Sequence, residues 1–111
     1  MAENSLAGPP AELDGARVLY WANVAALQLS GAIRHYRDGI LQERFARIAI
    51  TQYSGDTGAY LFHCDASWKV ENDDLYDSTE EALDAALSQY LGLTRDALRR
   101  IQGTVSGPTS G

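Results

Sequence analysis

The chain is poor in the residues that most simple chemistries require. It has one cysteine in 111 residues, which excludes an internal disulfide and fits a reducing compartment. It has two histidines, His35 and His63, and with Cys64 these are too few for a Cys/His metal cluster. No glycine-rich loop leads into a helix. "SGDTG" (54–58) lies between two strand-like runs, so no helix dipole stands behind it to hold a phosphate. No stretch approaches the ~20 consecutive apolar residues of a membrane span. The first fifteen residues lack the basic and apolar regions of a secretory signal. The expected location is therefore cytoplasmic. Cations are scarce too: nine Lys and Arg stand against fifteen Asp and Glu, a net charge of −6. Nonspecific nucleic-acid binding relies on cations neutralising phosphates, so no nucleic-acid partner is expected. The run "RHYR" around His35 and Tyr36 is a weak RNA-type pattern that the net charge outweighs.

What is present is enough for one modest core. Apolar residues make up 45% of the chain, ordinary for a globular protein of this size. Residues 1–15, with Pro, Gly and acids, are expected as a flexible tail, 16–102 as a single domain, and 103–111 ("GTVSGPTSG") as a disordered tail. "ARVLYWA" predicts a strand near 17–22, and Asn23 to Gly31 a short capped helical turn. "RHYRDGILQ" predicts a hairpin, because Asp38-Gly39 suits the positive φ of a type I′ turn. "RIAITQY" and "AYLFHCD" predict a second hairpin across "SGDTG", followed by a shorter strand, "SWKVEN". Then the period changes. Ser78 with Glu81 forms a capping-box pattern. Leu83, Ala86, Leu87, Tyr90 and Leu91 recur at helical spacing, and Gly92 suits the end of that helix. Thr94 predicts a final short helix with Leu98 and Ile101 inward. The expected fold class is α+β: a two-layer antiparallel sheet of four to five strands covered by an amphipathic helix and a short last one.

The chemistry-bearing residues concentrate in Phe62–Ala82, "FHCDASWKVENDDLYDSTEEA". On a strand, His63 and Cys64 point to opposite faces and cannot act as a pair. Tyr60, Phe62 and Cys64 share one face, which makes Cys64 a buried apolar group. Leu61, His63 and Asp65 share the other, and His63 with Asp65 is the arrangement that could orient an imidazole for acid–base work. No residue completes a triad, and no catalytic residue, cofactor or metal is expected. A calcium loop would need a central glycine, which "DDLYDSTEE" lacks. Residues 65–84 hold eight carboxylates and one lysine, Lys69. Glu80, Glu81 and Asp84 suit a helix N-terminus. The others, with two aromatics, outline an acidic edge: Trp68, Glu71, Asp73, Asp74, Tyr76 and Asp77 are the candidate binding residues. Arg34, Arg37, Arg44 and Arg47 gather elsewhere.

"GAIRHYRDG", "IAITQYSGDTGAYLFHCDASWKV" and "DSTEEALDAA" together span about 31–86. They resemble segments shared by a group of small, uncharacterised bacterial proteins. The resemblance implies one folded unit in a bacterial cytosol, with Tyr36, Asp38, Gly39, Gly55, Asp56, Gly58, Asp65, Trp68 and Ser78 in turn, cap and packing roles. It implies no activity and carries over no site. The expectation is a non-catalytic protein-binding module of immunity, inhibitor or regulatory type, monomeric or weakly self-associating, whose partner has a basic surface. The alternatives are a small ligand-binding domain or enzyme using the sheet face around His63 and Asp65, with Tyr53 or Arg47, and a domain that pairs sheet edges with its own copies.

Overall fold

The computed structural model describes residues 8–31, 35–42 and 44–100. β1 (Glu12–Leu13), β2 (Ala16–Asn23), β5 (Arg47–Gln52), β6 (Ala59–Cys64) and β7 (Val70–Tyr76) form one curled antiparallel sheet in that order. β8 (Arg99–Arg100) also pairs with β2. β3 (His35–Arg37) and β4 (Ile40–Gln42) form a separate hairpin, with φ of 54° at Asp38 and 78° at Gly39 as the turn chemistry requires. The helix α1 runs over Thr79–Gln89. Its start is the expected one: Ser78 Oγ accepts from the Glu81 N–H at 3.1 Å, and Glu81 reaches back to the Asp77 N–H at 3.3 Å.

The sheet buries side chains on both faces. Toward α1 lie Ala22, Ile48, Ile50, Leu61, Ala82, Leu83, Ala86 and Tyr90, all nearly inaccessible. Each large aliphatic side chain buried this fully contributes about 1.5–3 kcal/mol. The opposite face holds a second cluster of Leu13, Ala16, Val18, Ala49, Phe62 and Cys64, edged by Tyr53, Tyr60, Trp68 and Val70. Two bulges organise these faces. The pairing skips Leu19 in β2, since Val18 opposes Thr51 and Tyr20 opposes Ile50. It skips Glu71 in β7, since Cys64 opposes Val70 and His63 opposes Asn72. Each extra residue flips the alternation beyond it. Asn72, Asp74 and Tyr76 therefore face α1, while Asp73 and Leu75 face away.

Three expected features differ. The segment after Asn23 is not helical. Leu29 bridges to Tyr90, Ser30 N–H donates to Gln89 O at 2.7 Å, and Leu91 N–H donates to Gln28 O at 2.8 Å. The orphan carbonyls at the end of α1 thus draw this stretch into extended pairing. The final helix is a single 3-10 turn at Arg95–Ala97 without a side-chain cap from Thr94, and the chain then joins β2 as β8. Within the expected N-terminal tail, Glu12 and Leu13 pair with β2 and Leu13 is buried. Two smaller differences follow: the strand expected at "SWKVEN" begins later and runs on through Tyr76, and Gly92 takes its φ of 89° two residues beyond the helix cap, Tyr90. Residues 1–7 and 101–111, including Ile101 and the expected C-terminal tail, lie outside the described residues.

Gly58 opens β6 where a side chain has no room: a Cβ there would lie 2.8 Å from the Tyr76 carbonyl oxygen. Gly58→Ala should lower stability by about 1–3 kcal/mol, the usual cost of overpacking, read as a reduced urea midpoint at unchanged slope.

Candidate functional site

The eight carboxylates of 65–84 separate by what holds them. Asp65 Oδ1 accepts from Ser67 N–H at 2.9 Å, Ser67 Oγ–H at 2.8 Å and Lys69 N–H at 2.9 Å. These bonds, the Lys69 N–H foremost, hold its carboxyl below the usual range. Asp65 therefore shapes the bend between β6 and β7. Glu81 belongs to the helix cap. Glu80 and Asp84 bracket Arg95, at 3.0 and 3.8 Å. Glu71 is the bulge residue and is engaged as well. Asp74 Oδ2 lies 3.1 Å from His63 Nε2. The side chains of Asp73 and Asp77 alone take part in no hydrogen bond or ion pair among the described residues.

His63 is fully buried on the α1 face of β6. Its Nδ1 lies 2.6 Å from the Tyr90 hydroxyl, and its ring packs 4.9 Å from Phe45. An ionised carboxylate only accepts, so Nε2–H donates to Asp74, and Nδ1 shares the second hydrogen bond with the Tyr90 hydroxyl. Burial keeps that phenol protonated, its pKa pushed well above the ordinary value. Asp74, His63 and Tyr90 thus form a carboxylate–imidazole–phenol chain across β7, β6 and the end of α1. Its inner end has no opening to solvent, since Tyr90 is inaccessible. Chemically the chain is a tie between elements.

The expected His63–Asp65 arrangement is therefore not formed, because Asp65 has left the strand for the bend. Tyr53 and Arg47 do not join His63 either. Both lie on the far face, where Arg47 opposes Cys64. Trp68 lies there too, edge-on to Trp21 at 5.8 Å and beneath the Arg47 guanidinium at 5.1 Å. It takes φ of 70°, a conformation costing a side-chain-bearing residue about 1–2 kcal/mol, and these contacts hold it in place. Cys64 is inaccessible, its thiol pushed up to about 12 by burial and by Asp65, Asp14 and Glu71. It is inert as a nucleophile.

Two depressions lie among the described residues. A groove of about 230 Å³ runs between the β5–β6 turn (Asp56, Gly58), Tyr60 and the end of β7 (Leu75, Tyr76, Asp77). Leu75 is 62% exposed on its floor, opposite Tyr60 and two residues from Asp73 on the same face of β7. Among the described residues the Asp56 side chain takes part in no hydrogen bond or ion pair either. The sequence reading put Asp73 and Asp77 in the site and missed Asp56, Tyr60 and Leu75. The hairpin turn carrying Asp56 was the available signal. The second depression, about 280 Å³, is polar and lies beside Glu12, Arg17 and Tyr53. Among the described residues no group of His, Cys, Asp and Glu is placed to hold a metal ion. No helix among them is long and apolar enough to cross a membrane. Comparison with protein-family models, curated proteins and solved structures found no match for this chain.

Tyr90→Phe removes the hydroxyl bonded to the buried His63 Nδ1 and should cost about 1–3 kcal/mol of stability by urea titration. The Cys64 thiol, ordinarily titrating at 9.0, is held at about 12 in the folded protein. The unfolded chain therefore loses that proton first as pH rises. The contribution is complete below pH 9 and disappears between 9 and 12. The urea midpoint should fall across that window, and less steeply in Cys64→Ala.

Proposed function

We propose that this is a small acidic protein-binding module of the bacterial cytoplasm, of inhibitor, immunity or regulatory type, whose partner presents a basic surface. One observation carries this reading. Three carboxylates whose side chains make no hydrogen bond or ion pair among the described residues lie near Leu75, an apolar side chain left 62% exposed: Asp56 and Asp77 line the groove with it, and Asp73 shares its face of β7. Apolar surface ringed by unpaired charge of one sign suits a complementary protein surface better than it suits folding. It also disfavours pairing of β7 with another copy of itself, which would set carboxylates against carboxylates. The ligand-binding or enzymatic alternative has less support: His63 is inaccessible and Asp65 is committed to a turn.

The test is a pull-down with the tagged protein from lysate of its source organism at low and moderate salt, read by mass spectrometry. One stoichiometric protein that fades with salt is expected, and Asp73→Lys with Asp77→Lys should abolish its capture. Asp74 is spared in that variant because it is the partner of His63. Capture unchanged by the double reversal would remove this surface from the proposal.

A further inference from the structure

We infer that the groove beside Leu75 is a subsite for one arginine side chain of the partner, which is the anchor of the interaction. The inference rests on the protein-binding reading above and goes further by naming the group that is recognised. The walls come from two separate elements. Asp56 is supplied by the β5–β6 turn and Asp77 by the β7–α1 connection, with Leu75 and Tyr60 between them. The absent side chain of Gly58 keeps the two walls together, since the turn backbone lies against the Tyr76 carbonyl. An arginine matches each part. Its aliphatic stem covers exposed Leu75. Its planar guanidinium stacks on aromatic faces such as Tyr60 and presents paired N–H donors to carboxylates, which a lysine ammonium does less well. A volume of about 230 Å³ accommodates one such side chain and no large ligand. The other acids of the region are already satisfied within the fold, so the recognition falls to Asp56 and Asp77, with Asp73 adding attraction at the rim.

The test uses the full chain, 15N-labelled, titrated with the blocked tripeptides acetyl-Gly-Arg-Gly-amide, its lysine analogue and its glutamine analogue. The arginine peptide should give saturable shifts at the amides of Asp56–Gly58 and Leu75–Asp77, with roughly millimolar affinity for a single side chain. The lysine peptide should bind more weakly and the glutamine peptide not at all. Asp56→Asn with Asp77→Asn, isosteric changes at exposed positions, should weaken arginine binding at least about fivefold, the scale of two solvated ion pairs, with the thermal midpoint unchanged. Shifts scattered over all surface carboxylates, or equal affinity in the double variant, would overturn the subsite. If a captured partner still depends on Asp73 and Asp77 while the groove ignores the arginine peptide, the protein-binding reading stands and the arginine anchor falls.

Discussion

The imidazole of His63 is the constraint on which the arrangement of this protein depends. It sits where β6, β7 and the end of α1 meet, with no access to water, and each of its nitrogens must find a partner inside the protein. Tyr90 answers from the helix and Asp74 from the neighbouring strand. Asp74 is the diagonal neighbour of His63, since Asn72 is directly opposite. A slip of β7 by one residue would carry Asp74 to the other face, away from His63 Nε2. The hydrogen bond therefore selects the register of an otherwise polar strand, a sequence that hydrophobic burial alone would locate poorly.

That register decides what the surface looks like. With Asp74 and Tyr76 turned toward α1, Asp73 and Leu75 must face outward. The bulge at Glu71 makes this possible while Val70 still packs with Cys64 on the far side. A core requirement thus puts an apolar side chain among unpaired carboxylates. Leaving Leu75 62% exposed gives up part of the burial free energy of one large side chain.

Much of this was legible beforehand, where one local rule acted alone. Asp38-Gly39 turned as its backbone preferences demand, Ser78 and Glu81 capped the helix, and the opposite orientations of His63 and Cys64 followed from strand alternation. Two of the failures share a cause: a distant partner overrode local propensity. The stretch after Asn23 had a helix cap and a glycine stop, yet the unsatisfied carbonyls of α1 drew it into a bridge. Arg99 and Arg100 followed a helical pattern, yet the open edge of β2 took them as a strand. The period in β7 was misleading because a bulge resets it, and bulges leave little trace in a sequence whose strand is polar on both sides. Asp65 was paired with His63 by face alone, but its own turn offered three donors nearer at hand.

The acidic segment shows why charge counts are a poor guide to function. Eight carboxylates over twenty residues suggest one broad surface. Resolved one by one, they are a turn, a bulge, a histidine partner, a cap, a bracket around Arg95, and two residues with no internal work. Each carboxylate engaged in the fold has part of its field offset locally and is held in one geometry. The unengaged ones keep both their charge and their freedom to adapt, and these are the properties that complementary recognition uses. Here Asp77 and Asp56, from a separate turn, line one groove with Leu75, and Asp73 shares the face of β7 that Leu75 occupies. Convergence from separate parts of the sequence is a stronger pointer than local density, because helix caps and turns explain density and do not explain convergence.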